Sequence, residues 1–172
     1  MKRVSPAAVT VWASGVLGAL LLGLAEFTTL FEVHSSARSS AVATVSAGSQ
    51  HSYAMIPIAL LALVLTYSVW LTRSRVALGA IGVLGVIALL IALVGDLPDA
   101  HATGLLRSTG APGSGTDLAN GTSSPAIGLY LETLGGVLLL IAGGLGLLAV
   151  GPPAERTPRP RRPTPARDAS EA

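Results

Sequence analysis

Four long apolar runs constrain this chain more than any other feature: Val9–Phe31, Tyr53–Leu71, Val76–Gly95 and Ala126–Val150. Each is close to the roughly 20 residues that a helix needs to cross a bilayer. An unpaired N–H or C=O in hydrocarbon costs several kcal/mol, so spanning segments are helices or closed barrels. Continuous apolar stretches such as Ile58–Leu65 do not alternate as barrel strands must. The runs therefore predict an all-α integral membrane protein. It is a four-helix transmembrane bundle over residues 1–150, followed by a Pro/Arg-rich cytoplasmic tail over 151–172. Composition agrees, since charged residues make up 12% of the chain, against about 25% in a soluble domain.

Basic residues orient the bundle. Lys2 and Arg3 precede the first run, Arg73 and Arg75 occupy the short turn between the second and third, and Arg156, Arg159, Arg161, Arg162 and Arg167 follow the fourth. The two longer loops hold one each, Arg38 and Arg107. Cytoplasmic loops carry the Lys/Arg excess, so both termini are expected in the cytoplasm, with two extracytoplasmic loops at about Glu32–Ser52 and Asp96–Pro125. Met1-Lys2-Arg3 also suits the charged region of a signal peptide, with Gly23-Leu24-Ala25 before a cut at Glu26. The apolar stretch from Ala7 to Ala25 is longer than the roughly 7–15 residues of a signal core, which favours a retained span. Arginine dominates over lysine, as in a GC-rich genome, and the expected location is a bacterial cell membrane.

The chain has no cysteine, which removes disulfides, thiolate catalysis and Cys-based metal or haem sites. In span count it resembles claudins and tetraspanins. Those families staple their outer loops with disulfides, so the resemblance ends there.

Loop composition predicts little order. The first outer loop is Ser/Ala-rich, and Val42–Val45 has strand propensity that one short segment cannot realise alone. Ser108–Pro125 is rich in Gly, Ser and Pro and reads as mobile. Asn120-Gly121-Thr122 matches a glycosylation acceptor, a pattern frequent by chance. Six prolines among the last 22 residues predict an extended, disordered tail. Its arginines, Arg156, Arg159, Arg161 and Arg162 among them, lie where they hold the fourth span in place or meet anionic lipid. Pro160-Arg161-Arg162-Pro163 would also suit a PxxP-reading domain.

Two acids fall inside apolar runs, Glu26 and Glu132. A carboxylate at the bilayer centre costs about 2.5–3.5 kcal/mol on insertion scales, so such residues face protein or water. Steps of three and four place Glu132 on one face with Gly128, Gly135, Gly136, Gly143 and Gly146, and Glu26 follows Gly15, Ala19 and Gly23. Gly79, Gly82 and Gly85 line the third run in the same manner. Small residues let helices approach closely in lipid, so Gly15, Gly23, Gly79, Gly82, Gly135, Gly136 and Gly143 are the expected packing positions. Glu26 and Glu132 are then candidates for a paired-carboxylate ion or proton site. The alternatives are hydration near the span ends, hydrogen bonds from Thr28, Thr133 or Tyr130, and pairing with Arg38 or Arg107. Small multidrug transporters also carry a glutamate in a first span, but this chain lacks their aromatic-lined spans and has longer outer loops.

His34, His51 and His101 all fall on the expected outer side, near Glu32, Asp96 and Asp99. A shared metal site is geometrically open to them, although no HxH or HxxxH spacing prearranges a pair. Pro98 cannot continue a helix, so Asp96-Leu97-Pro98-Asp99 reads as the end of span three. No nucleophile–base pair and no cofactor motif is present, so no enzymatic activity and no cofactor are expected. The leading expectation is a non-enzymatic accessory, scaffold or envelope component. A small oligomeric transporter or channel using Glu26 and Glu132, or an outer-face metal-binding membrane protein, are the alternatives. Expected partners are membrane lipids and a membrane-protein partner or a second copy of the chain, with no nucleic acid.

Overall fold

The computed structural model describes residues 6–35, 41–108 and 117–149. Four helices in it are long and apolar enough to cross a membrane. They are α1 (Pro6–Ala25), α3 (Met55–Thr72), the 26-residue Arg75–Ala100 segment and α6 (Ile127–Ala149). The third begins as α4 (Arg75–Leu90), passes through a π-helical turn (Ile91–Asp96) and ends as α5 (Leu97–Ala100). A short helix, α2 (Ala47–His51), precedes α3.

The helices alternate in direction, and their packing follows where glycine and alanine lie. α6 packs most extensively, against α1 on one side and α4 on the other, while α3 bridges α1 and α4. A Cβ on Gly18 would come within 2.9 Å of the Gly135 carbonyl oxygen, and one on Gly143 within 2.6 Å of the Gly82 amide nitrogen. The backbones therefore touch directly, as they do where small residues line membrane helices. Around these contacts sits a core of Ala19, Leu22, Ala59, Ala62, Ile81, Leu84, Ala88, Leu139 and Ala142. Large apolar side chains point away from it: Val64 is 64% exposed and Val94 70%. Small residues inside and large apolar ones outside are the pattern of a helix assembly solvated by lipid rather than water.

Gly135 and Gly143 lie in such close approaches, Gly15 and Gly136 lie close against the Thr66 and Leu89 side chains, and Gly82 faces Gly143. Two further expected packing positions differ. A Cβ on Gly23 would make only ordinary contact with Ala59, and one on Gly79 would meet nothing within 4 Å. Gly79 is thus no packing position here. Gly85 and Gly146, which share those glycine faces, do approach their neighbours closely, and Gly18 adds a close approach that the sequence reading did not name.

The connections at one end of the helices form an antiparallel four-stranded sheet, of order β2-β1-β4-β3. The strands are β1 (Thr29–Ser35), β2 (Ala41–Ser46), β3 (Thr103–Ser108) and β4 (Asp117–Pro125). Three readings of the sequence are corrected here. The first span ends at Ala25 rather than Phe31, because Leu30 and Phe31 are buried in a strand, beneath which lie Ala92, Ala100 and Leu129. Residues 117–125 are a strand and not a mobile linker, since β4 pairs with β1 from Phe31↔Pro125 to Ser35↔Gly121. Val42–Val45 does not stand alone: β1 supplies its partner strand, with Phe31 opposite Val45. Arg38, residues 109–116 and the Pro/Arg tail with Arg156, Arg159, Arg161 and Arg162 fall outside the described residues.

At the opposite end, Arg73 adopts φ 52° and its amide closes α3 on the Val69 carbonyl. Ser74 then caps α4, accepting from the Ala77 amide. Two residues suffice for this reversal because the left-handed conformation ends one helix and the serine hydroxyl starts the next. Exposed aromatic pairs mark both ends, Trp12 with Trp70 and Phe27 with Tyr53, as interfacial anchors do.

Candidate functional site

The sheet end of the helices gathers four titratable side chains from four segments. Glu26 follows α1, His51 ends α2, Asp96 ends the π-helical turn and Glu132 is in the second turn of α6. The three acids are almost completely buried, at 1%, 1% and 0% exposure in chain order.

Local chemistry sets each one. Glu26 Oε1 accepts the Met55 amide at 2.7 Å. Met55 is the first residue of α3, whose N-cap Ala54 offers no side-chain acceptor. Glu26 therefore serves as a cap delivered from the end of α1, placing negative charge where the helix dipole is positive. α2 begins at Ser46, whose hydroxyl accepts from the Ser49 amide. It lies against Glu26 through the Gly48 amide, which donates to the Glu26 carbonyl at 3.0 Å. A Cβ at Gly48 would sit 2.8 Å from that same oxygen. This close approach brings His51 over the helix ends. Ser52 and Tyr53 then take φ 51° and 60°. Consecutive left-handed residues without glycine are costly, and such strain concentrates at functional sites.

Asp96 reaches the interior because of Pro98. A proline cannot donate to the carbonyl four residues earlier, and the helix opens into a π turn in which the Leu97 amide bonds to Ala92. Pro98 is the second residue of α5, and the span ends two residues later at Ala100. Asp96 is thereby a buried carboxylate near the end of the span, with Oδ2 3.1 Å from His51 Nε2.

Among the described residues, one His51 nitrogen, one Asp96 oxygen and one Glu132 oxygen lie within 4.8 Å of one another. No N–H or O–H donor reaches either oxygen of Glu132, nor Glu26 Oε2. The carboxyls of Asp96 and Glu132 could share a hydrogen bond only with a proton on one of them, and Glu26 adds a further like charge. The threonines that could have served the acids are engaged elsewhere. Thr28 Oγ1 donates to Ala25 O and Thr133 Oγ1 to Leu129 O, each at 2.8 Å. Tyr130 is 60% exposed, and the described arginine side chains, Arg73 and Arg75, belong to the opposite end.

The other two histidines have partners of their own. His34 Nε2 bonds Ser124 Oγ at 3.1 Å across β1 and β4 and lies 3.6 Å from Glu32. His101 Nδ1 donates to Leu97 O at 3.0 Å, within its own chain turn. Only His51 of the three joins the acids, and Asp96 takes the place that sequence reasoning gave to a second histidine. The signal was present: a proline two residues after an acid, directly following an apolar run.

Chemically, the site offers carboxylate oxygens in excess of donors, in a setting shielded from water. Such a set holds either protons or a cation, because unneutralised carboxylates at this burial are costly. The chain matches no family model, no curated protein and no solved structure.

Proposed function

We propose that this chain is a non-enzymatic, multi-pass membrane protein that binds a cation at the sheet end of its helices. Following the Lys/Arg excess, that end faces outward, and both termini lie in the cytoplasm of a bacterial cell. The observation that carries the reading is Glu132: fully buried, beside Asp96, with no donor to either oxygen. A scaffold role through glycine-lined helix faces gives no account of such a group. A cation does, by neutralising it where water cannot.

The test is the thermal stability of the purified full chain in detergent, against a panel of monovalent and divalent cations. A cation-dependent rise in melting temperature in the wild type, lost in Glu132→Gln, supports the reading. Insensitivity to every cation overturns it.

A second reading is favoured by Glu26 Oε2, among the described residues the other buried carboxylate oxygen without a donor. Glu26 and Glu132 would then be successive stations of a small transporter or channel. Flux in proteoliposomes that falls in both Glu26→Gln and Glu132→Gln supports this extension, and unchanged flux removes it.

A further inference from the structure

We infer that His51, Asp96 and Glu132 form a site for a divalent transition-metal ion of the zinc class. The inference rests on the cation-binding reading above and names its ligand.

The donor set decides the class. Calcium and magnesium take six or more oxygens and do not select an imidazole, whereas one nitrogen with two carboxylates suits zinc and its neighbours. Ligands about 2.1 Å from a tetrahedral ion lie roughly 3.4 Å apart. His51 Nε2 and Asp96 Oδ2, at 3.1 Å, already span such an edge. A Glu132 oxygen within 4.8 Å completes a face after a small side-chain rotation. Three protein ligands are the number found in zinc sites that keep one position open.

Charge supports the same assignment. A divalent ion with Asp96, Glu132 and a neutral imidazole sums to zero, the state that membrane burial favours. Glu26 is not among the ligands, because its Oε1 already holds the Met55 amide, and its charge lies outside this sum. An independent observation points to a ligand: Glu132 is 0% exposed, both its oxygens lack a donor, and it is aimed at the other two groups. A His51–Asp96 ion pair alone would leave it stranded.

The backbone prearranges the set. His51 is delivered by the left-handed pair at Ser52 and Tyr53, Asp96 by the π-helical turn and Glu132 by α6. A bound ion would tie α2 to the third and fourth long helices. Partial exposure of the His51 side chain, 14%, leaves an approach from the sheet end.

The experiment uses the full chain in detergent, stripped with a chelator and titrated with Zn²⁺ alone, with Ca²⁺ and Mg²⁺ as comparisons. Elemental analysis is expected to find one zinc per chain. His51→Ala and Glu132→Gln should each weaken binding by at least about 100-fold, while His34→Ala and His101→Ala bind as wild type. Co²⁺ in the unmutated chain should give the visible absorption of a tetrahedral site, a readout that does not depend on any variant folding. Absence of zinc and cobalt binding, with calcium or sodium still raising stability, overturns this inference and leaves the cation reading standing. No response to any cation overturns both. Zinc binding undiminished in His51→Ala also overturns the assignment, by placing the ion elsewhere.

Discussion

Replacing Gly143 with alanine tests the helix packing that carries the site. The added Cβ would lie 2.6 Å from the Gly82 amide nitrogen, 2.7 Å from its Cα and 2.9 Å from the Leu78 carbonyl oxygen. All three are backbone atoms and none can rotate away. An ordinary contact begins near 3.4 Å, so α4 and α6 must part by roughly 0.8 Å along this seam. Overpacking of this kind costs about 1–3 kcal/mol, and alanine's better helix propensity returns up to about 1 kcal/mol. The net loss against the wild type is about 0–2 kcal/mol, a melting-point fall of up to roughly 8 °C for a chain of this size. Gly79→Ala is the matched control: same helix as Gly82, same chemistry, and no atom within 4 Å of the new Cβ. It should melt at or slightly above the wild type. The assay is thermal unfolding in detergent followed by circular dichroism. Equal melting of the Gly143→Ala and Gly79→Ala proteins would refute the claim that backbone contact at Gly82–Gly143 holds α4 against α6.

The remaining predictions concern caps, turns and topology. Glu26→Ala removes the acceptor for the Met55 amide and should cost about 1 kcal/mol, whereas Glu26→Gln keeps an oxygen there and should cost less; amide exchange at Met55 separates the two. Arg73→Gly relieves a left-handed residue with a side chain and should raise the melting temperature by about 2–4 °C, since a gain of about 1 kcal/mol is expected. His34→Ala breaks the bond to Ser124 across β1 and β4 and should lower stability by about 1 kcal/mol in the same melts. In a chain without cysteine, Ser49→Cys should react with a membrane-impermeant thiol reagent added outside intact cells, and Thr72→Cys should not; the reverse pattern would invert the orientation.

Part of the site was legible in the sequence. Glu26 and Glu132 stand out because charge within an apolar run is expensive, whatever the fold. Asp96 did not stand out, because a proline beside an acid reads as the end of a span. Whether a helix stops at such a proline or passes through it with a π turn depends on what packs around it. Here His51 and α6 make the inward position of Asp96 useful. The sheet was hidden for a related reason. Thr29–Ser35 reads as the fraying end of a span and Asp117–Pro125 as linker, since strand pairing draws on backbone groups that every residue carries.

The sequence by itself determined that four helices would form and about where, because hydrocarbon leaves the backbone no other partner than itself over a span of that length. It also determined that close contact would run through glycine, since only small residues let two helix backbones meet. The tertiary structure alone decided which glycines meet, which loop residues become strands, and that His51, Asp96 and Glu132 converge. Those outcomes depend on segments far apart in the chain, and no local propensity specifies the distance between them.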